Sequence, residues 1–156
     1  TYQKQWLKDT LLNSEATFKV IASSVPFSEG IKPGSKDPWD GYPEEREEIF
    51  SFIEKQKIEG VLLIAADRHR IDFRKTSRPK GYDFLEFVSG RITNRHVHSV
   101  IKTDGLVWGY NKTCGYCLLK FDTTKRNPVM KFEAYDYFGE LLFAQKILST
   151  DLQFNP

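Results

Sequence analysis

Residues 61–69 read VLLIAADRH, and this stretch constrains the fold more than any other part of the chain. Its apolar part, residues 61–66, is a near-continuous run of the kind found in strands covered on both faces of a parallel sheet. A helical pattern precedes it over residues 43–57, and residues 18–24 read as a buried strand. The order strand, helix, strand predicts an α/β layout in which the two strands are parallel neighbours.

The rest of the chain divides into two unlike parts. Residues 3–12 carry apolar side chains at helical spacing, and residues 25–42 form a long loop without a period, and loops of this length are usually functional or disordered. Beyond Pro79, short strand-like runs alternate with turn formers, which predicts antiparallel strands. We therefore divide the chain into a helix–strand–helix–strand part, residues 1–80, and an antiparallel part, residues 81–156. The antiparallel runs are residues 84–88, 106–110, 116–121, 129–135 and 142–147.

Composition excludes several classes of protein. The chain has 156 residues and is 40% hydrophobic, which is enough to bury a core. Its longest apolar run, residues 61–66, is far shorter than the ~18 residues of a membrane span, so no span is expected. A net charge of +2, from 23 basic and 21 acidic residues, does not favour nucleic acid as a specific partner.

Asp67 and His69 follow the apolar run directly. Open α/β sheets bind ligands at the carboxyl ends of their strands, and residues two apart in an extended chain face the same way. Both side chains could therefore converge on one point, where a carboxylate and an imidazole suit a transition-metal or mixed-metal centre. The alternative is a turn with an aspartate cap and an exposed histidine, because two ligands do not complete a metal site.

Arginines flank this histidine. Arg68 and Arg70 carry planar donor forks that suit phosphate oxygens, although a solvated arginine is the common alternative. The charged segment that they open, residues 68–80, is expected to be a solvated loop.

Two further pairs of residues have metal-like or redox-like spacing. His96 and His98, in the motif NRHVH over residues 94–98, could bind a metal, but we expect an exposed loop there. Cys114 and Cys117 have the CxxC spacing, yet no helix is predicted after the first cysteine to lower its thiol pKa. We expect both cysteines to pack in a strand without redox function.

Longer motifs carry a family resemblance. FKVIASS at residues 18–24, DPWDGY at residues 37–42 and IAADRH at residues 64–69 resemble the C-terminal half of the alkaline phosphatase D-like (PhoD-like) metallophosphoesterases. FVSG at residues 87–90 fits the same family. The most specific element is the pairing of DPWDGY with a hydrophobic strand that ends in D-x-H.

The resemblance implies a fold and a metal centre. The fold would be the C-terminal half of a four-layer αββα sandwich, with a multinuclear metal site between its two sheets. The family's closing metal motif, Gly-Asp-x-His, places its ligands at Asp67 and His69, with Ala66 in place of the glycine. The cofactors implied are divalent or mixed metal ions of the calcium, iron, manganese or zinc type.

The resemblance also suggests substrate contacts. Trp39, Asp40 and Tyr42, on the long loop, would shape a substrate mouth together with Arg68. The alternative for the loop is a structural one, in which Trp39 plugs into the core. No catalytic residue is assigned from the sequence.

The family's earlier metal ligands have no counterpart before Phe18. We therefore expect the C-terminal portion of a larger phosphoric ester hydrolase that uses metal-activated water, inactive without its N-terminal half. Its partners would be a phosphate ester substrate and that missing half. The resemblance is compatible with a secreted or periplasmic parent. The alternative is a detached, non-catalytic structural or binding module with vestigial metal ligands.

Overall fold

The computed structural model describes residues 1–93 and 95–154. Its two α-helices and eight strands alternate up to residue 65, and the six later strands follow without another α-helix in these residues. Two short 3-10 helices, Trp39–Gly41 and Ser149–Leu152, complete the elements. The element bounds are α1 Tyr2–Asn13, β1 Lys19–Ala22, α2 Pro43–Lys55, β2 Val61–Ala65, β3 Ile71–Thr76, β4 Phe84–Val88, β5 Leu106–Tyr110, β6 Gly115–Asp122, β7 Val129–Asp136 and β8 Leu141–Leu148.

Five strands form a mixed sheet in the order β1-β2-β4-β3-β5. β1 pairs with β2 in parallel, from Lys19 opposite Val61 to Ala22 opposite Ile64, which confirms the strand–helix–strand prediction. β4 continues the parallel set on the other side of β2, whereas β3 runs antiparallel to both β4 and β5. The carboxyl ends of β1, β2 and β4 therefore lie at one edge of the sheet.

The expected solvated loop over residues 68–80 is wrong for its central part. Residues 71–76 form β3, in which the side chains of Asp72 and Arg74 are fully buried. Burial is possible because the opposite charges of these side chains pair inside the fold, as described below.

The division near residue 80 also differs from the structure. β4 is parallel to β2, and β4 and β5 belong to the same sheet as β1 and β2. The chain changes sheets only between β5 and β6. The antiparallel prediction is confirmed for β6, β7 and β8, which form a second sheet in that order.

Aromatic side chains join the layers. Between the two sheets, the ring centroids of Phe87 and Phe132 lie 4.6 Å apart, and those of Trp108 and Phe143 lie 4.7 Å apart. On the opposite face of the mixed sheet, Phe50 of α2 packs edge-on against Phe84 at 4.8 Å. The layers are therefore helix, mixed sheet and antiparallel sheet, consistent with part of an αββα sandwich. In the described residues neither helix is long and apolar enough to cross a membrane.

Candidate metal and anion site

The segment after β2 is a tight turn at the carboxyl edge of the mixed sheet. β2 ends at Ala65, and Asp67 and His69 have φ values of 70° and 50°. These values lie in the left-handed region, which non-glycine residues seldom adopt. The chain is therefore not extended here, and the alternation that we used to align the Asp67 and His69 side chains does not apply. Their assignment as metal ligands stays a prediction.

His69 meets both histidines of the segment between β4 and β5. Its ring centroid lies 5.5 Å from that of His96 and 5.3 Å from that of His98, and the latter two lie 4.6 Å apart. One ligating atom from each of the three residues lies within 4.8 Å of the others. The loop that carries His96 is exposed, as expected, but its imidazoles converge on the strand end. The sequence signal for this convergence is the metal-like spacing of His96 and His98, which also fits the exposed loop that the sequence predicts.

The backbone of this loop is held at several points. Ser89 N–H donates to the carbonyl of Ala65 at 2.9 Å, which keeps the exit of β4 beside the turn. Further along, Asn111 Nδ2 donates to the carbonyl of His98 at 3.2 Å, and Arg91 Nη1 donates to that of His96 at 3.3 Å. These bonds hold the backbone at His96 and His98, the two residues that carry the loop imidazoles.

Arg68 is buried in the same turn, with 3% of its surface exposed. Its Nη1 lies 3.6 Å from Asp67 Oδ2, and its Nε and Nη1 have no hydrogen-bond partner among the described residues. Burial, together with the nearby charge of Arg70, lowers the pKa of Arg68 below its usual value. A buried guanidinium with unsatisfied donors is costly unless an anion joins it.

Burial and the charge of Arg68 also lower the pKa of His98. Both effects disfavour the imidazolium form, and the neutral imidazole is the form that binds metal ions.

Arg70 is part of a buried ionic network, and this accounts for the charges in β3. Its Nε donates to both oxygens of Asp72 at 3.0 Å, and Arg74 Nε donates to Asp72 Oδ2 at 3.0 Å. Arg74 also donates to Thr103 Oγ1 at 2.8 Å and to the carbonyl of Ile101 at 2.9 Å. The network therefore ties β3 to the segment that follows the two loop histidines.

The three residues predicted on the long loop have different environments. Trp39 stacks on Phe27 with centroids 5.0 Å apart, and its Nε1 donates to Ser23 Oγ at 3.0 Å. Asp40 accepts from the backbone N–H of Gly30 at 2.9 Å, and burial raises its pKa. Tyr42 is 59% exposed. Trp39 thus anchors the loop at the end of β1.

Two cavities, each of about 240 Å³, open at or near the carboxyl edge. One is lined by Trp39 and Tyr42, with residues 23–25 at the end of β1. The other lies between the two sheets and is lined by apolar side chains that include Ile64, Phe87 and Cys117.

The cysteines are free thiols in different positions. Cys117 lies within β6, where burial raises its pKa to about 11, as a packing role requires. Cys114 lies immediately before β6 rather than in it.

Comparison with known proteins gives a consistent result. The family model described as PhoD-like phosphatase matches residues 1–152. Alkaline phosphatase D of Bacillus subtilis (strain 168) is 34% identical over 105 residues, which cover 59% of this chain and 18% of that protein. A solved structure titled "Structure of PhoD" has a TM-score of 0.67 at 20% identity, over 99% of this chain and 34% of that one. At this identity the structural likeness concerns the fold, and the chain spans well under half the length of both relatives.

Proposed function

Because the chain belongs to the PhoD-like phosphatase family, we propose that it is the C-terminal part of a metal-dependent phosphoric ester hydrolase. The family membership confirms the resemblance that the DPWDGY and D-x-H motifs carried. The chain covers only 18% of its curated relative, so the activity is proposed for a longer protein that contains it.

Asp67 and His69 are the proposed metal ligands of this chain. The donor types fit, because carboxylates bind calcium and manganese whereas imidazoles favour iron and zinc. Nδ1 of His69 is also buried without a hydrogen-bond partner in the described residues, a position that a metal ion would satisfy. When bound, such ions supply a Lewis acid for phosphoryl oxygens and lower the pKa of a coordinated water.

The observation that carries the proposal is the buried guanidinium of Arg68. Two of its nitrogens lack hydrogen-bond partners among residues 1–93 and 95–154, and it lies in the same turn as the proposed ligands. A buried guanidinium whose planar set of N–H donors lacks partners favours an oxyanion such as a phosphate ester. Arg68 would hold the phosphoryl group while its Nε and Nη1 hydrogens gain the partners that they lack.

The long loop would border the organic part of the ester. Trp39 is fixed by its stacking on Phe27 and its bond to Ser23, and exposed Tyr42 lines the same cavity. Asp40 holds the loop's shape through the N–H of Gly30 and lies 3.6 Å from Arg46.

Beyond the ligands that this chain supplies, further metal ligands would come from the N-terminal half, outside it. A two-metal centre would need more ligands than Asp67 and His69 to hold its ions in the geometry that activates water. We therefore propose that this chain does not turn over substrate without that half.

The test uses the full-length protein with p-nitrophenyl phosphate and bis-p-nitrophenyl phosphate as substrates. We expect Asp67→Ala to lose bound metal and turnover together. Arg68→Ala is expected to keep the metal and lower kcat/KM by about 100-fold, because one charged donor to the phosphoryl group is removed. Arg126→Ala, in an exposed turn, is the matched control and should behave as wild type.

Two results would contradict the proposal. Wild-type metal content and kcat/KM in both site variants would remove these residues from the site. Metal bound by a wild-type protein that hydrolyses neither ester would favour the alternative, a non-catalytic module with vestigial ligands.

A further inference from the structure

All three histidines of the chain meet at one point. The sequence contains three histidines, and ligating atoms from all of them lie within 4.8 Å of one another. His69 comes from the turn after β2, and His96 and His98 come from the segment between β4 and β5. The adjacency of β2 and β4 in the sheet brings these two segments together.

The distances between the ligating atoms of the three histidines are close to those between the ligands of a bound metal ion. Zinc–nitrogen bonds of 2.0–2.1 Å in a tetrahedral site place the nitrogen atoms about 3.3 Å apart. The imidazoles would therefore have to approach one another by about 1.5 Å at most, which side-chain rotation supplies on a loop without regular structure. The carbonyl of His98 is meanwhile held by Asn111 and that of His96 by Arg91.

A second observation points to a ligand at the same place. Nδ1 of His69 is shielded from solvent and lacks a hydrogen-bond partner in the part of the chain that the structure describes. Buried polar atoms in folded proteins nearly always have a partner, so this nitrogen calls for an ion or another group. Its ring lies edge-on to that of His96 and is tilted against that of His98.

We propose that His69, His96 and His98 together bind one transition-metal ion of the zinc or cobalt type. Three nitrogen ligands are the protein's share in zinc sites that keep a fourth position open. Imidazole is neutral when it coordinates, so the ion keeps its full positive charge, and its open position favours an anionic oxygen. The adjacent Arg68 guanidinium favours the same kind of ligand.

This inference rests on the proposed function only in one respect: both assign His69 as a metal ligand. The D-x-H motif supplies Asp67 and His69, whereas His96 and His98 lie outside that motif, on a loop for which the sequence predicts solvent exposure. The proposal therefore assigns two further ligands to the centre and narrows the metal bound at His69 to an ion that prefers nitrogen.

The experiment is a Co²⁺ titration of the purified full-length protein that contains this chain, followed by visible absorption and by equilibrium metal content. We expect His96→Ala and His98→Ala each to lose one equivalent of tetrahedral Co²⁺, or to bind it at least about 100-fold more weakly. Val97→Ala, between the two ligands, is the matched control and should titrate as wild type. His96→Asn repeats the test with a polar side chain, and circular dichroism checks that every variant is folded.

The outcomes separate this inference from the proposed function. Folded His96 and His98 variants that bind Co²⁺ as wild type would overturn the three-histidine site, even if Asp67→Ala abolished both metal binding and turnover. Loss of Co²⁺ from both variants, with wild-type hydrolysis of p-nitrophenyl esters, would support the three-histidine site and remove this centre from catalysis.

Discussion

Glu86 is a fully buried carboxylate in the middle of β4, and its partners explain its position. Its two oxygens accept from the backbone N–H groups of Phe27 at 2.6 Å and Ser28 at 2.9 Å, and Arg74 lies opposite it in register. Burial raises the pKa of Glu86 in spite of these bonds. One side chain thus fixes the start of the long loop against the sheet.

We expect Glu86→Gln to lower the free energy of unfolding by about 1–3 kcal/mol, because an amide NH₂ would face a backbone N–H donor. Urea denaturation at neutral pH measures this difference. Glu140→Gln, at an exposed position, is the control and should change stability by less than about 0.5 kcal/mol. Equal stability of the two variants would show that the loop does not depend on this carboxylate.

The candidate site was only partly predictable at the residue scale. Asp67 and His69 stood out because a strand end is a local feature of the sequence. His96 and His98 were assigned to solvent because no local pattern shows that their loop lies beside β2. The burial of Arg68 could not be predicted either, since an arginine in a turn is usually exposed to solvent.

Among the elements, α2 is tied to the segment after β3 by an ion-pair cluster. Arg78 donates to both oxygens of Glu47 at 2.8 and 2.7 Å, and to Glu54 at 2.7 Å. The hydrogen bonds from Arg78 hold the pKa of Glu47 at about 2, below its ordinary value of 4.5. The folded state therefore binds fewer protons than the unfolded chain between these two pH values.

This linkage gives a pH-dependent prediction. The contribution of Glu47 is fully present above pH 4.5 and is lost as the pH falls toward 2. Because the side chain is half exposed, we expect Glu47→Gln to destabilise the protein by only about 0.5–1 kcal/mol at pH 7. Unfolding free energies measured from pH 7 to pH 3 should converge for the two proteins. A constant difference across this range, or the same effect from the exposed Glu44→Gln control, would contradict the assignment.

β3 was the element that sequence reasoning missed. The parallel pair β1 and β2 was predictable because apolar runs and an intervening helix are local patterns. In β3, Asp72 and Arg74 broke the apolar pattern, and two partners of Arg74 lie far along the chain, at Thr103 and the carbonyl of Ile101. Without β3, the antiparallel neighbour of β4, the place of β4 in the mixed sheet could not be inferred either.

At the scale of the whole molecule, one aromatic core spans both sheets. Phe132 of β7 is fully buried, and its ring centroid lies 4.6 Å from that of Phe87 and 5.9 Å from that of Phe73, both in the mixed sheet. In the described residues no backbone ladder joins the two sheets, which meet mainly through such side chains. We therefore expect them to unfold together.

Phe132→Ala is expected to destabilise the protein by about 3–5 kcal/mol, since it removes a ring from the interface between the sheets and leaves a cavity. Tryptophan fluorescence reports on the helical layer and the mixed sheet, through Trp6 of α1, Trp39 beside the end of β1 and Trp108 of β5, and far-ultraviolet circular dichroism reports on both sheets. In denaturant both signals should shift together to a lower midpoint. Phe138→Ala, at a ring that is 73% exposed, should leave the midpoint close to wild type. Two separate transitions in the wild-type protein would mean that the sheets are independent units, because a shared core requires the loss of one sheet to expose the apolar face of the other.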